Sequence, residues 1–292
     1  MQRGPRDFIL TAALANLLRK DAAAHKYTLG HAVVLSGGAG RTGAARLSAR
    51  GALRVGAGLV TLAVPAEAVP EVACQITAIM LRKLSDAADL RAFLMDQRIN
   101  ALCAGPGLGL GQREADALAV ILAQGRPGVL DADALTLLGR DAALRQGLHP
   151  ACVLTPHEGE FTRLFPDLAA GLAMSKGQGA EAARAQGVGE AAARLGGTVL
   201  LKGPQTLVAG PDGRCWVHRG AEDGGLAWLA TAGSGDVLAG FILGLLARGI
   251  APVLAANIAV SLHGLAARRF GPGLIAEDLP ECLPAVFTDL GL

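Results

Sequence analysis

One short segment carries the clearest chemistry in the sequence, LATAGSGDVLAG at residues 229–240. Three small residues, Gly233, Ser234 and Gly235, stand directly before an apolar stretch with the pattern of a buried helix. The N-terminus of such a helix has free backbone N–H groups and a partial positive charge, so it can bind a phosphate. Asp236, at the junction, is either a helix cap or a general base beside that anion. A cap needs only one polar residue, so the small neighbours favour an anion hole at Gly233, Ser234 and Gly235.

Two further motifs contain side chains that could contact a phosphate or a substrate. Lys202 ends an apolar run in LKGPQT, where its ammonium group could reach a phosphate. The sequence contains no GxxxxGK[ST] motif, which argues against a P-loop NTPase. In TPHEGEF, His157 could hydrogen-bond a substrate, while Glu160 suits the N-terminus of a helix. Their HxxE spacing is weak evidence for a metal site when taken alone.

Two carboxylates, Asp131 and Asp133, follow another apolar run in the motif VLDADAL. Together they could bind Mg²⁺, directly or through water. For Asp133 we favour the alternative, an N-cap of the following helix. Asp131 stays an open candidate for a metal ligand.

Two glycine-rich loops complete the set of motifs. GAGRTG, at residues 38–43, has the GxGxxG spacing of a dinucleotide-binding turn. The acidic residue expected to bind the ribose is poorly matched, because the nearest candidate, Glu67, lies beyond Pro65. We therefore favour a glycine loop that approaches some ligand closely over a Rossmann fold. AGPGLG, at residues 104–109, also permits close approach of a flat ligand or a phosphate, or it is a plain turn.

These motifs follow short apolar runs typical of strands, which alternate with Ala- and Leu-rich stretches typical of helices. Strands are predicted at 31–36, 58–65, 101–106, from 127, from 152, and at 198–203, and a hairpin is predicted with an Asp-Gly turn at 212–213. Strands with little alternation indicate a parallel sheet that is covered on both faces. Ligands of such sheets bind beyond the carboxyl ends of the strands, so we expect the motifs to meet in one crevice.

The composition of the 292 residues narrows the classes of protein. A formal net charge of +2, with only one Tyr and two Trp, argues against a nucleic-acid partner. Five scattered cysteines, with no CxxC pair, indicate reduced thiols and a cytoplasmic protein. The apolar segment FILTAALANLL favours an amphipathic helix over a signal peptide, and we expect no membrane span. Residues 171–189 are predicted to form a mobile surface loop followed by a helix.

The six motifs, in this order and spacing, resemble those of the ADP/ATP-dependent NAD(P)H-hydrate dehydratases, a family of the ribokinase-like superfamily. The resemblance covers about residues 25–285. It implies a single ribokinase-like α/β domain with a mostly parallel central sheet and helices on both faces. It also implies a repair reaction on (6S)-NADHX and NADPHX, the hydrated forms of NADH and NADPH. The ring hydroxyl is phosphorylated by ADP, which becomes AMP, and phosphate is then eliminated. ATP is the alternative co-substrate, and Mg²⁺ is expected.

The resemblance also implies roles for individual residues. Asp236 would be the base, and the amides around Gly233, Ser234 and Gly235 would hold the transferring phosphoryl group. The adenine nucleotide would be bound by Gly235 and by the LKGPQT residues Lys202, Gly203, Pro204, Gln205 and Thr206. The NAD(P)HX site would be lined by Asp236 with Ala44, Gly107 and His157.

The sequence departs from its relatives in two places. Many of them have Asn-Pro-Gly before the Ala-Thr, where this chain reads DGGLAW at residues 223–228. Some carry an N-terminal epimerase domain, whereas residues 1–24 here are predicted as a helical extension before a dehydratase domain at 25–292. The epimerase is therefore expected on a separate chain or in a missing N-terminal domain. The resemblance also makes a homo-oligomer plausible, with a tetramer as the candidate.

Two alternative functions stay open at the level of sequence. The first is a ribokinase-like kinase of a vitamin-precursor alcohol, of the hydroxyethylthiazole or hydroxymethylpyrimidine type, which would release a phosphorylated product. The second is a catalytically silent nucleotide-binding regulator, which the intact Asp236 disfavours.

Overall fold

The computed structural model describes residues 4–169, 179–219 and 225–292. Within these ranges, ten strands form one sheet: β1 (Arg6–Asp7), β2 (His31–Leu35), β3 (Leu59–Pro65), β4 (Met80–Leu84), β5 (Ile99–Ala104), β6 (Gly128–Leu130), β7 (Cys152–Leu154), β8 (Thr198–Leu201), β9 (Gln205–Ala209) and β10 (Cys215–Arg219). Their spatial order is β1-β10-β9-β8-β7-β6-β5-β2-β3-β4.

The sheet is mostly parallel, as the sequence predicts. From β8 to β4, each strand pairs in parallel with its neighbour. Among the described strands only β9 runs in the opposite direction, because it pairs antiparallel with both β8 and β10. The predicted Asp-Gly turn closes the β9–β10 hairpin, where Gly213 has φ +74°, a value in the left-handed region that suits glycine.

Helices cover both faces of the sheet. They are α1 (Ala12–Ala15), α2 (Gly43–Arg54), α3 (Val69–Ala73), α4 (Ala87–Phe93), α5 (Gln112–Leu122), α6 (Ala132–Arg140), α7 (Ala142–Gln146), α8 (Glu158–Leu164), α9 (Ala180–Leu195), α10 (Ser234–Ala247), α11 (Pro252–Phe270) and α12 (Asp278–Asp289), with 3₁₀ turns at Asn16–Leu18, Ala66–Ala68 and Gly225–Leu229.

The central strands are buried on both sides, which explains why their sequences hardly alternate. Val34 packs into the core beneath α2, α10 and α11, whereas its neighbour Val33 packs into the core beneath α4, α5 and α6. Both side chains are fully buried. A fully apolar strand is what a sheet with two covered faces requires.

Helices α2 and α10 pack unusually close together. A Cβ atom on Gly240 would lie 2.2 Å from the Ser48 carbonyl oxygen, and one on Gly244 would lie 2.3 Å from Val55 Cγ1. Later residues of α10 contact later residues of α2, so the two helices run parallel. Since α2 follows β2, both helices begin at the carboxyl edge of the sheet, where the motifs lie.

The N-terminal segment differs from the prediction of one amphipathic helix. Helix α1 covers only Ala12–Ala15, capped by the Thr11 hydroxyl, which accepts a hydrogen bond from Leu14 N–H at 3.3 Å. The preceding strand β1 was not predicted, because two residues are too few to show an alternating pattern. It joins the sheet by pairing in parallel with Trp216 and Val217 of β10.

Two sequence predictions fall partly outside the described residues. Residues 171–178 of the expected surface loop lie outside the described residues. The helix predicted after this loop is α9, which begins at Ala180. The first two residues of DGGLAW, 223 and 224, also lie outside. No helix in the described parts of the chain is long and apolar enough to cross a bilayer.

Candidate active site

Five of the sequence motifs meet at one edge of the sheet. Strands β8, β7, β6, β5 and β2 are consecutive neighbours, and each is followed by one motif. The loops touch each other closely. A Cβ atom on Gly105 would lie 1.7 Å from the Asp131 carbonyl oxygen, and a Cβ atom on Gly37 would lie 2.0 Å from the Gly107 carbonyl oxygen. These glycines are required because any side chain would push the loops apart. The five motifs therefore lie together at this edge, as predicted.

The sixth motif forms the N-terminus of α10 at the same edge. The helix is capped by Gly233, which has φ +88° and no side chain to offer the helix amides. The first regular helical bond at this end runs from Val237 N–H to the Gly233 carbonyl oxygen, at 3.1 Å. Among the described residues, the N–H groups of Gly235 and Asp236 have no acceptor. The free amides at this end of the described helix thus include those of Gly235 and Asp236, whereas Ser234 N–H donates to the Thr231 carbonyl oxygen at 3.4 Å.

Asp236 is not the N-cap, so the cap alternative from the sequence is wrong. It lies in the first turn of α10, three residues after the cap, and its side chain is half-buried. The pKa of its carboxyl group is raised to about 6, mainly by burial and also by the negative charge of Asp131, while Lys202 opposes the shift. A carboxylate with this pKa is ionised near neutral pH and is more basic than an ordinary aspartate, which suits a general base.

Lys202, which is partly exposed, forms an ion pair with the buried Asp131. Lys202 Nζ lies 2.8 Å from Asp131 Oδ1, and the side chain of Asp131 is 2% exposed. The ammonium group also reaches α10, since a Cβ atom on Gly235 would lie 3.4 Å from Lys202 Nζ. Ala132, next to Asp131, has φ +44°, an uncommon value for a residue with a side chain. The pair therefore holds a positive charge beside the N-terminus of α10.

The prediction that Asp133 caps α6 is wrong. The capping position belongs to Asp131, whose side chain makes no capping bond because it pairs with Lys202. Asp133 lies in the first turn, and its Oδ2 accepts from Gly109 N–H at 2.8 Å and from Arg41 Nη2 at 3.3 Å. It therefore ties the two glycine-rich loops together.

Glu71 is a residue of the site edge that the sequence analysis missed. It follows Pro70 in α3. Its carboxylate accepts hydrogen bonds from Gly40 N–H, at 2.6 Å, and from the Thr42 hydroxyl. These bonds lower the pKa of Glu71, the bond from Gly40 most strongly. Glu67, the candidate for a ribose ligand, instead pairs with Arg113 at 3.5 Å. No local pattern links Glu71 to residues 38–43, because only the packing of α3 brings them together.

His157 has a structural role that its sequence context did not reveal. Its Nδ1 accepts hydrogen bonds from Gly159 N–H (2.9 Å) and Glu160 N–H (3.3 Å), so it is the N-cap of α8. Glu160 accepts in return from His157 N–H at 2.8 Å, which completes a capping box. The helix-terminal role predicted for Glu160 is confirmed. Since Nδ1 accepts these bonds, Nε2 is the ring nitrogen left for other contacts, and it lies 3.6 Å from Glu160 Oε1.

The remaining predicted residues lie on either side of this centre. Ala44 and Gly107 are in contact, with 3.5 Å between Ala44 Cβ and a Cβ atom built on Gly107. Lys202 N–H donates to the Pro156 carbonyl oxygen at 2.8 Å, which fixes the turn at Gly203 and Pro204 before β9. Gln205 and Thr206 are the first residues of β9. The described residues contain no group of three His, Cys, Asp or Glu side chains that could form a metal site.

The sheet order and the layered helices define a ribokinase-like α/β protein. A ribokinase-like superfamily protein from Enterococcus faecalis has the same fold, with a TM-score of 0.77, 22% identity, and coverage of 99% of this chain and 98% of that one. Residues 32–281 match the family described as NAD(P)H-hydrate dehydratase. The chain belongs to the NAD(P)H-hydrate dehydratase family, which confirms the resemblance seen in the motifs.

Individual relatives agree with this assignment. An ADP-dependent (S)-NAD(P)H-hydrate dehydratase from Neisseria meningitidis is 41% identical, over 83% of this chain and 78% of that protein. A bifunctional NAD(P)H-hydrate repair enzyme from Moorella thermoacetica is 36% identical over 97% of this chain, which spans 54% of that longer protein. The ADP/ATP-dependent dehydratase from Bacillus subtilis, co-crystallised with ATP/Mg²⁺, is 28% identical with a TM-score of 0.77, and the match covers 99% of this chain and 100% of that one.

Proposed function

We propose that this chain is an ADP-dependent NAD(P)H-hydrate dehydratase, which returns (6S)-NADHX and NADPHX to NADH and NADPH. One observation carries the proposal: a half-buried carboxylate with a pKa of about 6, that of Asp236, stands at a helix N-terminus with unpaired N–H groups in the described structure. Transfer of a phosphoryl group to a hydroxyl needs both a base and an anion site. Membership of the family selects the hydroxyl of NAD(P)HX among the candidate acceptors.

In the first step, the carboxylate of Asp236 takes the proton of the ring hydroxyl. The hydroxyl oxygen then attacks the β-phosphorus of ADP, the bond from that phosphorus to the bridging oxygen breaks, and AMP leaves. Raising the pKa of Asp236 makes this transfer easier, because a stronger base accepts the proton more readily.

The charge of the transferring group would be stabilised by the anion hole and by Lys202. The amides of Gly235 and Asp236 point from the positive end of α10, and the ammonium group of Lys202 is held next to Gly235 by Asp131. These donors are fixed before the substrate binds, so they need little reorganisation during the reaction.

In the second step, the phosphate ester formed on the ring is eliminated. The C–O bond breaks and phosphate leaves with the bonding electron pair, while a proton is lost from the neighbouring ring carbon. The C=C bond of the reduced nicotinamide is restored, so no external oxidant or reductant is needed.

The binding residues are proposed on the same basis. Lys202, Gly203, Pro204, Gln205 and Thr206, with Gly235, would bind the adenine nucleotide, since their turn follows β8 beside α10. Ala44 and Gly107 would line the NAD(P)HX site, since they are in contact at the end of β5 and the start of α2. His157 would offer its Nε2 to the same substrate, since its Nδ1 is used in capping.

Magnesium is expected to arrive with the nucleotide. The described residues include no cluster of three metal-binding side chains, and Asp131 Oδ1 is bonded to Lys202. This donor set does not fit a dedicated protein site for the ion. It would suit Mg²⁺ brought in with the phosphates of the nucleotide, with Asp131 and Asp236 as the carboxylates that could help to hold it. When bound, the ion would neutralise phosphate charge.

Four further properties belong to the proposal. Exposed Trp228, Phe270 and Ile275 favour a homo-oligomer, with a tetramer as the candidate, which light scattering can test. The epimerase activity is expected on a separate chain or a further domain, since the bifunctional relatives are about twice as long. Residues 25–292 would form the dehydratase domain, and five reduced cysteines favour the cytoplasm.

The decisive experiment assays (6S)-NADHX and NADPHX with ADP and with ATP in parallel. The proposal expects recovery of the reduced-nicotinamide absorbance with ADP, together with equal amounts of AMP and phosphate. A vitamin-precursor kinase would instead accumulate a stable phosphorylated alcohol. Nucleotide binding without turnover of any of these substrates would contradict the dehydratase and favour a silent regulator.

A further inference from the structure

A buried histidine lies directly behind the anion hole. His263 is on α11, with 6% of its surface exposed, and its ring packs edge-on against Phe241 with 6.1 Å between the ring centroids. Its Nε2 lies 3.0 Å from the carbonyl oxygen of Ser234 and 3.3 Å from the Ser234 hydroxyl. Nothing in the sequence motifs points to this residue, which is almost thirty positions beyond the Gly-Ser-Gly-Asp segment.

The geometry determines which way the hydrogen bond runs. A backbone carbonyl oxygen can only accept, so Nε2 of His263 must carry a proton and donate it to Ser234. The pKa of His263 is lowered to about 4, mainly by burial; the bond to Ser234 opposes the shift, and the nearby charge of Lys202 adds to it. The ring is therefore neutral at physiological pH, with its single proton on Nε2.

The carbonyl that His263 holds belongs to the peptide unit whose N–H is that of Gly235. A peptide unit is planar, with C=O and N–H pointing in opposite directions. Fixing the oxygen from the core side therefore fixes the direction of the Gly235 N–H on the crevice side. A hydrogen bond to the carbonyl also polarises the unit and makes its N–H a stronger donor.

We propose that His263 is a positioning residue for phosphoryl transfer, which orients and polarises the Ser234–Gly235 peptide so that the Gly235 N–H meets the transferring phosphate. The role rests on the proposed function. The ligand it serves is the terminal phosphate of a nucleoside diphosphate. Ser234 then contributes through its backbone, because its side chain is buried against His263 and faces away from the crevice.

Two variants at His263 and one control separate this role from simple core packing. His263→Leu removes the donor and keeps a bulky apolar side chain, whereas His263→Gln can place an amide N–H near the same carbonyl. Asn257→Leu is the matched control on α11: Asn257 is 2% exposed, and its side chain hydrogen-bonds His218 Nε2 at 2.9 Å and the Val253 carbonyl oxygen at 2.8 Å.

Isothermal titration of ADP and AMP, with Mg²⁺, measures binding without any hydrate. His263→Leu is expected to weaken ADP binding about tenfold and to leave AMP binding unchanged, because only ADP has the β-phosphate. His263→Gln should recover most of the loss, and Asn257→Leu should bind both nucleotides like the wild type. Equal loss for ADP and AMP, or ADP binding within twofold of wild type in folded His263→Leu, would overturn the proposal.

Turnover of NADHX provides the second readout. A fall in kcat of about tenfold or more in His263→Leu, with the KM for NADHX unchanged, agrees with loss of phosphoryl stabilisation. If the wild type binds ADP but converts no hydrate, the proposed function fails, while the comparison of ADP with AMP still decides the role of His263. The histidine is merely structural if both variants, Asn257→Leu and His263→Leu, lose turnover in the same proportion to their loss of stability.

Discussion

Asp236→Asn should abolish turnover and at the same time stabilise the fold. The carboxylate of Asp236 is half-buried, and its pKa is raised from 3.8 to about 6 by burial and by Asp131. A raised pKa means that the folded protein disfavours the ionised form that the reaction requires. Asparagine has almost the same shape but no charge, so it removes both the base and the energetic cost of ionising it.

The size of this cost follows from the pKa. One pKa unit corresponds to 1.36 kcal/mol, so a rise from 3.8 to about 6 destabilises the fold by about 3 kcal/mol when Asp236 is ionised. The sign depends on pH. Below 3.8 the group is protonated in both the folded and the unfolded chain and costs nothing, and the cost grows up to about pH 6 and is constant above it.

Urea unfolding of wild type and Asp236→Asn at about pH 7.5 and about pH 4 measures the difference. The variant should be more stable at the higher pH by about 3 kcal/mol, with most of that gain absent at the lower pH. Asp212→Asn, at the β9–β10 turn, is the control. Desolvation is the largest single effect on Asp212 and raises its pKa, but the hydrogen bonds and charge of Arg214 together outweigh it and lower the pKa, so this variant should gain no stability.

Activity gives the complementary test. Wild-type kcat/KM should fall about tenfold per pH unit below about pH 6, because only ionised Asp236 accepts the proton. Asp236→Asn should lose turnover by at least about 10²-fold at every pH. A wild-type rate that stays constant down to about pH 5, or a variant that is active and no more stable than wild type, would refute the reasoning.

Three further predictions concern the supports of the site. Gly233→Ala should destabilise the fold by about 1–3 kcal/mol in urea unfolding, because φ is +88° and its Cβ would lie 2.6 Å from Leu47 Cδ1; unchanged stability would argue against that geometry. Glu71→Ala should raise the KM for NADHX roughly tenfold with little effect on the KM for ADP, since it releases the loop at Gly40, and an equal rise in both would contradict this. Lys202→Met should raise the KM for ADP and cost about 3–5 kcal/mol of stability, because it leaves Asp131 buried without its partner. Thermal unfolding measures this loss, and the double variant Lys202→Met/Asp131→Asn should recover part of the stability, because the unpaired charge is removed.

Much of the fold was accessible from the pattern of residues. Uninterrupted apolar runs such as residues 32–35, separated by Ala- and Leu-rich stretches, require strands buried on both faces, which predicts a parallel sheet with helices on either side. The Asp-Gly pair at 212–213 located the one hairpin that was predicted, since few residues tolerate the φ of Gly213. Strand β1 could not be predicted, because its two residues have no pattern of their own and are ordered by pairing with β10.

Local rules were least reliable where a side chain had two competing partners. Asp133 has the type and position of an N-cap, yet it binds Gly109 and Arg41, because two loops from other strands approach it. His157 was considered only for ligands, although its Nδ1 caps α8. In both cases the choice between partners depends on which groups lie nearby in space, and residues close in sequence do not reveal this.

The sequence by itself determined that six motifs must follow strands or begin helices, and that parallel strands would bring five of them to one edge. The types and order of those residues were enough to identify the family. Only the tertiary structure decided the raised pKa of Asp236, the position of Lys202 against Asp131, and the presence of His263 behind Ser234. Burial, through-space charge and hydrogen-bond direction depend on which segments pack together. Glycine spacing and strand pattern specify where the chain turns, while these quantities arise once distant segments exclude water from the same crevice.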